Sequence, residues 1–185
     1  MMKGLRIAFA AAGLLSVFAA SPAHAQTESP TAGHASAGLL LGYGFKDGVD
    51  FGLGVRGGYT LPMNVYLGGT FMYHFGKSEN TGFGDASVHM FYVGAEGGYD
   101  IYLQPVIIRP YLGLGVATAT ASVPGGTVAG FTFPSTSDSS SKFAAWPGAT
   151  VLYPINQFFV GGDARFLIVS DFNAFSLFAT GGMQF

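Results

Sequence analysis

The sequence has no cysteine and few charges, and each absence removes a class of protein. Without cysteine there is no disulfide, no thiolate metal site and no lipid-modified cysteine behind a leader. Charged residues make up 10% of the 185, against about 25% in an ordinary soluble domain. The formal net charge is −2, and −4 once Lys3 and Arg6 are set aside, so the chain offers no basic surface for nucleic acid. Outside the extreme N-terminus no run of eighteen apolar residues exists, which excludes a transmembrane helix. What remains is a 49% hydrophobic chain with 29 glycines and many Phe and Tyr. Apolarity without spanning helices points to a sheet closed on itself, the other structure that satisfies its backbone in lipid.

Residues 1–25 have the form of a cleaved secretory signal. Lys3 and Arg6 supply the positive start, Ile7–Ala20 the apolar core, and Ala23-His24-Ala25 the small-x-small cleavage site. The mature chain is then expected to begin at Gln26. Residues 26–35 are polar, contain Pro30 and Gly33, and read as a loose periplasmic tail.

The informative stretch runs from Val88 to Ala121. It alternates with period two on both sides of Gln104-Pro105, the mark of strands. A two-residue turn there sets Leu103 opposite Val106 and zips the hairpin upward. One face then holds Ile101, Tyr99, Ala95 and Val93 against Ile108, Pro110, Leu114 and Val116. The other holds every charge, Glu96, Asp100 and Arg109, and sets Tyr92 and Tyr111 opposite small residues. The runs reach the ~9–11 residues of a tilted membrane-crossing strand. A hairpin apolar on one side and charged on the other calls for lipid outside and a packed polar interior.

Residues 36–185 divide into eight such strands. They are expected over Ser36–Phe45, Phe51–Leu61, Val65–Phe75, the two arms of the hairpin, Lys142–Ile155, Phe158–Ser170 and Phe175–Phe185. Residues 76–87 and 122–141 read as polar loops. Pro147 is awkward inside the sixth strand, because it cannot donate to a ladder, and calls for a bulge or a later start near Gly148. Connections after the second, fourth and sixth strands are two or three residues long, whereas those after the third and fifth are long. Tight turns at one end and longer loops at the other describe an eight-stranded antiparallel up-and-down transmembrane β-barrel. Phe51 and Phe75 at the loop end, and Tyr59, Tyr99 and Tyr153 at the turn end, are candidates for aromatic girdles.

GAEGGYD (Gly94–Asp100), RPYLGLG (Arg109–Gly115) and the terminal strand ending in Phe185 resemble the small eight-stranded outer-membrane barrel superfamily. That group includes the OmpA membrane domain, OmpX, OmpW and the opacity proteins. The resemblance covers roughly residues 36–185. It implies a bacterial outer-membrane location, contact with lipid and lipopolysaccharide, no cofactor, and a monomer. It also implies that Phe185 is the signal read by the barrel-assembly machinery. Likeness to OmpW allows an alternative, a channel for small or apolar solutes, beside a structural or surface-interaction role.

Residue by residue, the chemistry is sparse. Every arginine of the mature chain (Arg56, Arg109, Arg165) falls on the inward parity, as do Glu96, Asp100 and Asp163. Asp100 and Arg109 stand directly opposite; Arg56 with Asp163, then Glu96 with Arg165, are expected at successively higher levels. Unpaired buried ions are costly, so these six are expected to form a lumen charge network. Lys46, Lys77 and Lys142 lie at the loop end, either in contact with lipopolysaccharide phosphates or simply solvated. Gly52–Gly57 matches G-x-G-x-x-G, but inside an alternating strand rather than at a strand-to-helix turn, so it is not a dinucleotide fingerprint. His74 points inward and His89 outward by parity, so they do not converge on a metal. No Ser/His/Asp grouping emerges, and no enzymatic activity is expected.

Overall fold

The computed structural model describes residues 29–46, 49–76, 78–80, 85–123, 125–128, 131–170 and 172–185. The expected leader with Ala23 and Ala25, together with Asp47, Lys77 and Asp171, lies outside the described residues. The strands are β1 (Ala35–Lys46), β2 (Val49–Thr60), β3 (Val65–His74), β4 (Ser78–Asn80), β5 (Asp85–Tyr99) and β6 (Ile101–Leu103). They continue as β7 (Val106–Val123), β8 (Gly126–Val128), β9 (Phe131–Phe133), β10 (Thr136–Ile155), β11 (Phe158–Val169) and β12 (Phe172–Gln184). β1 pairs with β2 on one side and with β12 on the other. Neighbour to neighbour, the circuit β1-β2-β3-β5-β7-β10-β11-β12 closes, all antiparallel. That is the expected eight-stranded barrel, with β6 carrying the β5 stave on past Asp100.

The opening hairpin has the register its sequence dictates, from Leu103↔Val106 up to Ser87↔Ser122. Its faces are also as expected. Leu114 is 46% exposed on the outside, whereas Ala117 is 4% exposed on the inside. The same alternation runs round the barrel: Leu39, Leu53, Phe71, Val93, Leu112, Val151, Val160 and Leu177 face out. Leu40, Met72, Tyr92, Tyr111, Trp146, Leu167 and Phe178 are buried within.

The structure corrects five expectations. Residues 136–141 are not loop but strand, paired with 118–123. Their polarity suggested irregularity, yet the outward hydroxyls pair across the strands: Thr118–Ser141 at 2.8 Å, Thr120–Ser139 at 3.0 Å and Ser122–Ser137 at 3.4 Å. Likewise Ser78–Asn80 folds onto Asp85–Ser87 within the expected loop 76–87. Pro147 sits in an unbroken β10 with no bulge. The ladder to β11 omits Trp146 and Pro147 and resumes in the same register, while the ladder to β7 runs through both.

The last hairpin is tighter than expected. It closes at Val169↔Phe172, which slides β12 four residues along β11. A four-residue slip is even, so every side chain keeps its face. Phe185, which the expected strand bounds set opposite Val160, is carried past it, and Val160 pairs with Gly181. It follows the end of β12, its amide donating to the Ala35 carbonyl at 2.9 Å.

Residues 29–34 are also not the loose tail that their composition suggested. Ser29 and Thr31 are 3% and 2% exposed, folded across the turn end.

Candidate functional site

The interior is built by parity: each inward position of a strand contributes one side chain to a narrow axis. Eight strands leave just enough interior for side chains to fill. All six expected lumen charges arrive there buried, Arg56 the least so at 9% exposed.

They form two groups rather than three pairs. Nearer the turns, Arg109 clasps Asp100 with both Nε (2.5 Å) and Nη2 (2.8 Å), a bidentate fork. Its guanidinium also lies 3.9 Å from the Tyr66 ring centre, and Nη2 donates to Thr60. Above this, Arg56 bridges both acids of the second group, Glu96 at 2.7 Å and Asp163 at 2.9 Å. Arg165 holds Asp163 at 2.7 Å and stands 3.9 Å from Glu96. Strand tilt thus merges the two upper levels that the sequence separated.

Neutral groups complete the network. Asp163 accepts hydrogen bonds from Thr150 (2.7 Å) and from the Tyr111 hydroxyl (3.0 Å), and Glu96 accepts one from Trp146 Nε1 (2.8 Å). Arg56 donates to Thr150 (2.8 Å) and Thr70 (3.3 Å), and Arg165 to the Tyr92 hydroxyl (3.2 Å). Thr70 stands directly opposite Arg56, as period two across the β2–β3 turn requires. Trp146 and Thr150 are partners that the sequence does not single out, although their parity places them on the arginine face. Gly113 makes room for Trp146: a Cβ there would collide with the indole at Nε1.

The network is capped with apolar material at both ends. Towards the loops, Met72, Tyr92, Trp146 and Phe178 belong to one buried cluster with Leu40, Val49 and Leu167. Towards the turns, Ile107, Leu152 and Phe159 form a second. His74 is buried as its parity requires, its Nδ1 donating to the Asp50 carbonyl at 3.3 Å. His89 faces outward and stacks on Tyr73, so the two histidines do not meet. Among the described residues no cluster of His, Asp or Glu is placed to hold a metal ion.

Outside, rings gather at both ends. At the loop end Phe175, Phe45 and Tyr43 follow one another at 5.8–5.9 Å. Phe51, Phe75, Tyr73 and His89 continue the belt at 4.9–5.9 Å. At the turn end Tyr59, Tyr153, Phe158 and Phe185 are exposed. Lys46 lies 4.6 Å over the Phe172 ring at the loop end. Lys142 is exposed near that end on β10, with β12 and β11 between it and β1, so the structure does not bring Lys46 and Lys142 together.

A closed eight-stranded barrel, apolar and ring-belted outside and charged within, is a transmembrane β-barrel of the bacterial outer membrane. The chain belongs to the outer membrane protein beta-barrel domain family, whose sequence profile matches residues 9–185. No curated protein matches it in sequence. Among solved structures it is similar to Ail, the attachment invasion locus protein of Yersinia pestis (18% identity, TM-score 0.56). That match covers 83% of this chain and 99% of Ail. The N-terminal barrel domain of Pseudomonas aeruginosa OprF is similar at 16% identity and TM-score 0.56, covering 82% of this chain and 97% of that one. A major outer membrane protein of Thermus thermophilus reaches TM-score 0.60 at 13% identity, covering 82% of this chain and 99% of that protein. At these identities the likeness is one of fold.

Proposed function

We propose that this barrel is a non-enzymatic structural or surface-interaction protein whose lumen is a charge-latched plug rather than an open pore. The observation that carries the reading is the reciprocal ion pairing of Arg56, Arg109 and Arg165 with Glu96, Asp100 and Asp163 between two apolar layers. Ions held this way cannot leave their partners without the cost of burying a lone charge. The refolded barrel in a planar bilayer is therefore expected to show no large, long-lived conductance steps. Such steps would replace this reading with that of a channel for small or apolar solutes.

Two contacts follow from the same placement. Phe185 directly follows the closing strand with its ring exposed at the turn end, which supports its role as the signal for the barrel-assembly machinery. Deleting it is expected to lower severalfold the heat-modifiable barrel recovered from the outer membrane; an undiminished yield removes that role. At the loop end Lys46, Lys142 and, by its place in the sequence, Lys77 reach the height of lipopolysaccharide phosphates. Lys142 shares the inward parity of Ala144 and Trp146 and Lys46 lies over Phe172, so plain solvation at the mouth is the alternative to phosphate contact. The outward hydroxyls of β7 and β10 continue the barrel's outer surface to that height. Asp50 and Asp138 share the end, so phosphate contact there calls for a divalent bridge.

A further inference from the structure

The lumen's turn-end mouth is covered by the chain's own N-terminal segment, residues 29–34, and the cover is a built structure. Pro30 follows Ser29 in a tight turn closed by Ala32 N–H donating to the Ser29 carbonyl at 2.9 Å, the position proline favours. His34 N–H donates to the Thr31 carbonyl at 3.2 Å. Gly33 adopts φ +77°, a backbone state that glycine enters without steric cost. Its amide donates to the Thr60 carbonyl at 2.8 Å, and the Thr60 amide returns a bond to His34 at 3.0 Å. The segment thus extends the β1–β2 ladder and then bends across the opening.

What it meets there is the lower half of the charge network. The Thr31 hydroxyl donates to Asp100 Oδ2, the oxygen that also receives Arg109 Nη2. The Ser29 amide donates to Asn64 Oδ1 at 3.2 Å, and the Asn64 carbonyl accepts the Asp100 amide at 2.8 Å. Asn64 is itself in a left-handed turn (φ 66°), which directs its side chain under the segment. Tyr59 and His34 fasten the rim, Tyr59 Oη to the Gly33 carbonyl and His34 Nδ1 to the Phe185 carbonyl, both at 3.2 Å. Ser29, Thr31, Asn64, Thr60 and Asp100 are each at most 5% exposed.

We propose that residues 29–34 are an intramolecular stopper, seated on Asp100 and Asn64, that seals the barrel's turn-end mouth. The stopper separates the Asp100–Arg109 pair from water on that side, and its withdrawal is the step that would open it. This goes beyond the closed-lumen reading and stands apart from it, since a barrel can be blocked at its middle with its mouth open.

The absence of cysteine makes the test direct. Thr60 lies beneath the stopper at 1% exposure, so Thr60→Cys gives a single thiol whose reaction with a charged maleimide reports the seal. The refolded mature barrel in detergent is compared with the same protein carrying Thr31→Val, and with one lacking residues 26–33. A hydrogen bond from a hydroxyl to a buried carboxylate is worth about tenfold or more in a local opening equilibrium. Labelling is therefore expected to rise by about that factor with Thr31→Val and further with the deletion. Heat-modifiable gel mobility confirms that each variant is folded. If the deletion variant does not fold, Thr31→Val alone decides. Equal labelling rates in parent and Thr31→Val, whether both slow or both fast, overturn the proposal.

Discussion

Arg109→Ala is expected to destabilise the barrel by about 3–5 kcal/mol, because it leaves the Asp100 carboxylate buried without its cation. Asp100 is 1% exposed and both of its oxygens are held by the Arg109 fork. After the substitution, among the described residues only the Thr31 hydroxyl remains as a side-chain donor to it. Arg56 does not substitute, since Glu96 and Asp163 already occupy it. The change also empties the space over the Tyr66 ring and takes a partner from Thr60. Adding Asp100→Ala removes the stranded charge, so the double variant is expected to recover part of the loss. It does not recover all of it, because the cavity beside Tyr66 persists. The measurement is urea unfolding of the three variants in detergent, followed by heat-modifiable mobility and by fluorescence of the single tryptophan. If Arg109→Ala is harmless, the pair is solvated and the plugged lumen falls with it.

That experiment bears on the part of the interior most legible in the sequence. Asp100 and Arg109 flank one short turn, so period two and a turn at Gln104-Pro105 were enough to set them opposite. The upper group was legible only as membership. Parity put Arg56, Glu96, Asp163 and Arg165 inside, but their grouping depends on tilt and on registers between strands distant in sequence. The four-residue slip in the β11–β12 hairpin shows the limit well. Alternation cannot detect an even shift, because each side chain keeps its face.

Hydrogen bonding explains the other misreadings. The hydroxyl-rich arms of β7 and β10 carry no apolar alternation, yet their outward hydroxyls pair across the strands. The Pro30 and Gly33 that suggested a loose tail are what a tight turn requires; the turn's anchors, Asn64 and Asp100, lie far along the chain. Apolar periodicity reports which face meets lipid. It says little where both faces are wet or both are polar.

The sharpest expected contrast between the two faces is between neighbours of the same kind, Leu39 and Leu40. Leu40 is 0% exposed, inside the apolar cluster with Val49, Met72 and Phe178. Leu40→Ala leaves a cavity in a packed interior and is expected to cost about 2–5 kcal/mol. Leu39 is 59% exposed between Val55 and Gly181. On β1 it stands midway between the turn-end ring of Tyr59, opposite Ala35, and the loop-end ring of Tyr43. Lipid tails are as apolar as leucine and fill what the side chain vacates, so Leu39→Ala is expected to change stability little. Leu39→Arg places a charge near the bilayer midplane, where it costs about 2–4 kcal/mol. Its neighbours Val55 and Gly181 offer no counter-charge. The three variants are compared by unfolding in lipid bilayers of fixed thickness, since a detergent micelle would let the arginine reach water. Tolerance of Leu39→Arg would place water rather than lipid outside, and a loss from Leu39→Ala as large as that from Leu40→Ala would mean that the Leu39 face is packed inward. An outer-membrane barrel requires the opposite pattern, because its exterior answers to charge and its interior to volume.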